Sequence, residues 1–403
     1  MKQLSVPQRP HINWRALDWL YYPLAAFAIT RLTLFFAAYL SEIAFAESGA
    51  GGWHAVADNV FLDVWARFDS GFYLRIVQEG YLFKLGEKSN VAFFPVYPLL
   101  TDWLVPLVGQ EVLAGVIVSN LCLLGALIFL YRLTKLEFDD ASTARRTVYY
   151  IAAFPTAFFF SAVYTESAFL LWIVGTMYFA RRRLWVWAAL FGLLTAATRI
   201  VGVITFGMVG LEWLRSHGWT ISTCFRPEAW WGLLRGLRTD WPSLLVIFVI
   251  PLGLLSYMLF LQRQFQDPVA FWTVQAAWGR EDLGPVAIIW RDVSGLISQN
   301  FFTGKIWWHV LLDVGAFFAV LILSVFVWFR LGEAYAIFCL LSVLIPVSSG
   351  TGSMTRYALI LFPLFMILGW WGRIGILDRA IMIGFSVFLG IFTAIFANWI
   401  FIA

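Results

Sequence analysis

The chain has 403 residues, 61% hydrophobic and 13% charged, with a formal net charge of +4 and a mean hydropathy of +0.79. A soluble domain carries roughly 25% charged residues, so a soluble enzyme is excluded and residues 1–403 read as one integral-membrane domain. The basic residues stand at the ends of apolar runs, where membrane topology accounts for them, so the positive balance implies no nucleic-acid partner.

The first apolar run is 18–46. Lys2, Arg9 and Arg15 precede it, which places the N-terminus in the cytoplasm. No convincing small-residue cleavage site follows, so the run reads as a retained span rather than a removed signal peptide. Arg31 lies inside it. An intramembrane Arg is functional by default, or it pairs with a neighbouring helix or snorkels.

Residues 47–110 form a first external segment, too polar between Glu47 and Asn90 to enter lipid. Its centre, Trp65 to Ile76, is charged and aromatic. Phe93 to Gly109 is apolar but broken by Pro95, Pro98 and Pro106, and reads as a juxtamembrane helix in the interface. If it crossed, the basic loop with Arg132, Lys135, Arg145 and Arg146 would fall outside, against the positive-inside bias. Spans then alternate at 111–133, 148–163, 168–180, 184–198, 200–214, 242–262, 309–329, 333–347, 357–371 and 380–402. With the first they make roughly eleven, several of them short for a bilayer. Short helices are tolerated where they line a protein-walled cavity. Residues 263–307 form a second external segment rich in aromatic residues. Cys122, Cys224 and Cys339 lie far apart and suggest neither a disulfide framework nor a zinc site.

This alternation puts Asp69, Glu166, Arg199, Arg280 and Arg356 at span ends on the external side. Sugar transfer suits such a set. Nucleotide sugars are generally unavailable outside the cell, so the donor would be a polyprenyl-phosphate sugar held in the membrane lipids. Its phosphate leaves without a proton, so one carboxylate suffices to deprotonate the acceptor hydroxyl; inverting hydrolases need two. Asp69 suits the base, and Arg356 and Arg199 suit a phosphate clamp. Asp69 also suits a helix N-cap for Ser70–Gln78, in which case Asp58 or Asp63 would be the base. Glu166 suits binding of acceptor hydroxyls or an ion pair with Arg199. External aromatic residues stack on sugars or form an interface belt. His11, His54, His217 and His309 are scattered, and no metal-binding pair or glycine-rich phosphate loop stands out, so neither metal nor cofactor is expected. A transporter or flippase of lipid-linked sugars could use the same residues without chemistry, although internal repeats and broken midplane helices are not evident. A non-catalytic subunit of an envelope-assembly complex would tolerate the loss of Asp69.

Five motifs in order resemble the PIG-V type of mannosyltransferase. They are Phe68-Asp69-Ser70-Gly71-Phe72-Tyr73 with Gly80-Tyr81, Ala92 to Pro98, Tyr164-Thr165-Glu166-Ser167, Ala197-Thr198-Arg199 with Gly202, and Arg356-Tyr357 with Phe362-Pro363. That type is similar to the wider GT-C group of polytopic glycosyltransferases, so the resemblance implies an all-α GT-C-like bundle whose large first external loop carries juxtamembrane helices. It also implies an inverting transfer of mannose from a polyprenyl-phosphate donor to a lipid or glycan acceptor, with Asp69 catalytic and no metal. The motif residues Tyr73, Tyr97, Tyr164 and Tyr357 join Glu166, Arg199, Arg280 and Arg356 as expected substrate-binding residues. The chain departs from the pattern at Phe68, where the family often has Trp, and at Ile200-Val201. Compact external loops resemble the prokaryotic branch, which implies a prokaryotic cell membrane.

Overall fold

Proline and glycine cut the apolar runs into many helices. The computed structural model describes residues 17–45, 53–279, 283–298 and 308–402, and no strand occurs among the described residues. The first part runs α1 (Asp18–Ala44), α2 (Val60–Asp63), α3 (Ser70–Glu79), α4 (Val96–Val108), α5 (Glu111–Phe138), α6 (Ala141–Ala152), α7 (Glu166–Arg181), α8 (Trp185–Ala196) and α9 (Ile204–Ser216). The second runs α10 (Pro227–Thr239), α11 (Trp241–Ile247), α12 (Leu252–Phe265), α13 (Ala270–Thr273), α14 (Pro285–Ser298), α15 (Trp308–Arg330), α16 (Glu333–Val347), α17 (Met354–Leu359), α18 (Phe362–Trp371) and α19 (Gly375–Ala397).

Five described stretches are long and apolar enough to cross a bilayer: Asp18–Ala44, Glu111–Phe138, Trp241–Phe265, Trp308–Arg330 and Gly375–Ala397. Shorter apolar helices (Val96–Val108, Trp185–Ala196, Glu333–Val347 and Phe362–Trp371) accompany them. The chain is an all-α polytopic membrane protein. Its axis is α7, which packs along α5 on one side and α8 on another; α6 packs on α18, α15 on α16, and α1 on α5, α6 and α19. In lipid, helices associate by close packing of small residues rather than by escape from water. Gly125 accordingly lies under Leu171, and Gly175 leaves no room for a Cβ beside Phe191.

Three expected spans differ from the observed helices for a local reason; the run 242–262 divides into α11 and α12 at Pro251, which caps α12. The run 148–163 does not continue as a helix: α6 stops at Ala152, before Phe154-Pro155, and residues 153–165 follow an irregular path with a 3₁₀ turn at Ala157–Phe160. Pro155 lacks an N–H and disfavours helix in the residue before it. The carbonyls this releases are buried and need donors. Arg31 supplies them from α1: Nη2 donates to Ala152 O at 2.7 Å, and Nη1 to Ala157 O at 2.9 Å and Ser161 Oγ at 3.1 Å. The Arg flagged in the first span is therefore a structural donor. The run 357–371 is split likewise, into α17 and α18, with Pro363 in the first turn of α18.

The Phe93–Gly109 stretch forms α4, which folds back on α5 through Gly109 in the left-handed region (φ 74°). Leu99, Trp103 and Leu107 are all exposed, at the i, i+4, i+8 spacing of one helix face.

Candidate active site

Asp69 precedes α3 in the position of its N-cap, yet makes no side-chain capping bond. Its carboxylate instead accepts from Arg356 Nη1, Nη1 to Oδ2, at 2.8 Å. Arg356, in α17, also binds Glu166 Oε1 through Nε. The same Oε1 accepts from Arg199 Nη1 at 2.8 Å. Glu166 opens α7 and Arg199 follows α8, so four elements meet in one alternating chain: Arg199, Glu166, Arg356, Asp69. Its inner members are buried, whereas the Asp69 side chain keeps 32% of its surface exposed. Of the five charged residues expected to share a level, these four converge; Arg280 lies outside the described residues.

The backbone around the cluster is tightly held. Phe68 (φ 52°) and Ser353 (φ 69°) adopt left-handed conformations that non-glycine residues rarely occupy, and each stands just before a cluster residue's helix. Strain of this kind gathers at functional sites. The Tyr164 hydroxyl donates to Arg67 O at 3.0 Å and accepts from Asp69 N at 3.1 Å, fixing the strained turn. The Tyr164 ring also lies under the Arg356 guanidinium, 4.6 Å from its centroid. Behind Arg199, Gly202 and Gly253 pack against the Thr195 and Leu193 carbonyls of α8, where a Cβ would collide. Asp313, buried in α15, accepts from Ser353 N at 3.1 Å and Thr355 N at 3.0 Å and anchors the turn that leads into Arg356.

Asp69, Arg199 and Arg356 line a cavity of about 490 Å³ with Tyr73, Tyr357 and Phe93. The Tyr73 hydroxyl meets Thr165 Oγ1 at 3.3 Å. Burial and the nearby Glu166 carboxylate push its pKa up to about 12, so it enters the cavity wall as a neutral hydroxyl. Arg199 stacks over the Tyr357 ring at 5.6 Å. Only Nη1 of Arg199 is spent, on Glu166 and on Thr165 Oγ1 at 3.3 Å. Its Nε and Nη2, the Nη2 of Arg356 and the Oδ1 of Asp69 bind no group among the described residues. The site therefore offers guanidinium donors and one carboxylate oxygen beside a single cavity.

Other expected residues are placed elsewhere. Tyr97 is fully buried and its hydroxyl is engaged, donating to Gly115 O at 3.0 Å and meeting Ser119 Oγ at 2.9 Å, away from the cavity lining. Glu166 and Tyr164 stand behind the cavity wall rather than in it. Asp63 is tied to Arg67 at 2.5 Å, His54 at 2.8 Å and Val56 N at 3.0 Å. Burial alone would raise its carboxyl, but these bonds outweigh that and hold it below the usual carboxylate range. Asp58 is exposed and lines neither described cavity. No group of three or more His, Cys, Asp or Glu suited to a metal occurs among the described residues. Sequence reasoning missed Asp313, although an acid inside an apolar span is a costly placement that could have signalled it.

Fold and site together define a polytopic membrane protein with a charged, partly aromatic cavity at one end of its helix bundle. The family model described as Mannosyltransferase (PIG-V) matches residues 15–220, just over half of the chain, and the chain belongs to that family of membrane glycosyltransferases. The match contains Asp69, Glu166 and Arg199; Arg356 reaches the cluster from beyond it. A search of curated proteins finds no match.

Proposed function

We propose that this chain moves mannose from a polyprenyl-phosphate donor to a lipid or glycan acceptor at the external membrane face, with inversion and with Asp69 as the general base. The observation that carries this reading is the shared cavity, where the Asp69 carboxylate and the uncommitted donors of Arg199 and Arg356 face the same space. The acceptor oxygen attacks the anomeric carbon as its proton passes to Asp69. The bond from that carbon to the phosphate oxygen breaks, and the lipid phosphate leaves with the electron pair. No general acid is needed because phosphate is a stable anion. Arg199 and Arg356 meet its growing charge, as oriented guanidiniums do for oxyanions. Glu166 acts as a positioning residue, holding both guanidiniums on one oxygen. Neither metal nor cofactor has a role in this scheme.

The test uses purified protein in detergent, radiolabelled polyprenyl-phosphate mannose and a total lipid and glycan extract of the host. Asp69→Asn is expected to abolish label transfer, a loss of about 10³-fold or more from removing a general base, while the melting temperature and donor binding persist. Transfer by Asp69→Asn at the wild-type rate would overturn the assignment.

A further inference from the structure

A second cavity, of about 640 Å³, adjoins the first. The two share Trp278, Pro346, Ser349, Ser353, Tyr357 and Phe401 in their walls. Phe401 also packs edge-on against Phe68, with ring centroids 5.4 Å apart, and so touches the turn that presents Asp69. Phe401 thus stands in the walls of both cavities and against the turn that presents Asp69.

Its chemistry differs from that of its neighbour. Arg291 enters it already paired with Asp292, Nε to Oδ1, at 2.9 Å. Asp292 Oδ2 accepts from Thr351 Oγ1 at 2.6 Å, and Asp313 adds a second carboxylate. Among the described charged residues of this wall two acids, Asp292 and Asp313, stand with one guanidinium, Arg291, a poorer setting for a phosphate than the two guanidiniums of the first cavity. The turn 349–353 presents small residues, and a Cβ built on Gly350 or Gly352 meets nothing within 4 Å. The Ser353 hydroxyl and the Gly352 N–H bind no group among the described residues. An indole and a phenol ring beside hydroxyls, backbone amides and a carboxylate are what an uncharged sugar requires: a flat apolar surface for its C–H face and alternating donors and acceptors for its hydroxyls.

Building on the transferase reading above, we infer that this second cavity is the acceptor subsite, and that it takes a neutral, polyhydroxylated glycan headgroup. The first cavity, with its guanidiniums and its Phe93, Phe94 and Phe271 wall, then takes the phosphate end of the donor. Tyr357 and Ser353 line both cavities, so an acceptor seated in the second lies next to the cavity that Asp69 lines.

The test fills the second cavity alone. Gly295 and Gly352 line it and not the first, and a Cβ at Gly295 has open space around it. Gly295→Phe and Gly352→Val are purified alongside wild type, with melting temperatures checked. Two quantities are read: retention of radiolabelled polyprenyl-phosphate mannose by the protein, and the apparent KM for the host's total glycolipid extract in label transfer. The expected result is donor retention within about twofold of wild type and an acceptor KM raised about tenfold or more, the pattern of lost substrate binding. An unchanged acceptor KM in a folded variant overturns the subsite while leaving the transferase reading intact. Loss of donor retention in both variants assigns the cavity to the donor and also overturns it. Absence of transfer by wild type that retains donor would instead remove the transferase reading, and the subsite with it.

Discussion

Helix α7 carries an arginine–carboxylate cluster at each end, and the two differ in what they leave unspent. At its C-terminus, Arg181 binds Glu137 at 2.5 Å through Nε, Glu212 at 2.7 Å through Nη1, and Leu331 O at 2.9 Å through Nη2. Tyr335 caps Glu137 at 2.7 Å. Every nitrogen of that guanidinium is used, and no member lines either cavity. At the N-terminus, some 24 Å away at 1.5 Å per residue, Arg199 uses a single nitrogen and Asp69 keeps one oxygen uncommitted among the described residues, beside a cavity. Both clusters are buried arginine networks tying several helices together. A saturated fork is a tie, whereas an unsaturated one beside a cavity can bind a ligand.

The largest effect that would break this contrast is at Glu166. Glu166→Gln removes the charge that holds two guanidiniums, and transfer is expected to fall about 100-fold or more, with a stability loss of about 3–5 kcal/mol, as for breaking other buried pairs. Initial rates and detergent melting curves check both. Full activity in Glu166→Gln would remove its positioning role.

Arg181→Met tests the opposite end. It strands two buried carboxylates and is expected to cost a similar 3–5 kcal/mol or so. The surviving folded protein should retain radiolabelled donor within about twofold of wild type, since the C-terminal cluster faces no cavity. Weakened donor binding there would erase the distinction between the two ends.

The smallest effect concerns Tyr97. Its hydroxyl is committed to Gly115 and Ser119, so Tyr97→Phe is expected to cost about 1 kcal/mol of stability and to leave transfer within about twofold. A large loss of turnover without loss of stability would return Tyr97 to the substrate-binding residues.

The membrane class, the all-helical architecture and the one-ended grouping of Asp69, Glu166, Arg199 and Arg356 were legible in the sequence. Hydropathy sets spans because lipid cannot satisfy backbone polar groups, and alternating crossings then sort charged span ends onto two levels. Helix breaks were legible only afterwards. Pro155 and Pro363 were visible, but that the broken segment at 153–165 would stay buried depended on Arg31 reaching across from α1. The tyrosines illustrate the same limit. Tyr73, Tyr97, Tyr164 and Tyr357 all sit in motifs, yet only Tyr73 and Tyr357 line the cavity, because the facing side of each helix is chosen by its packing partners.

By itself the sequence determined that this is a membrane protein, which family it joins, and which charged residues could share a face, because composition and motif order are properties of a chain read alone. The tertiary structure alone decided that Glu166 binds both arginines, that Asp69 meets Arg356 rather than capping α3, and that a second cavity abuts the first. Those facts join residues up to 287 positions apart, and such distant pairings are set by the packing of whole helices rather than by any local pattern.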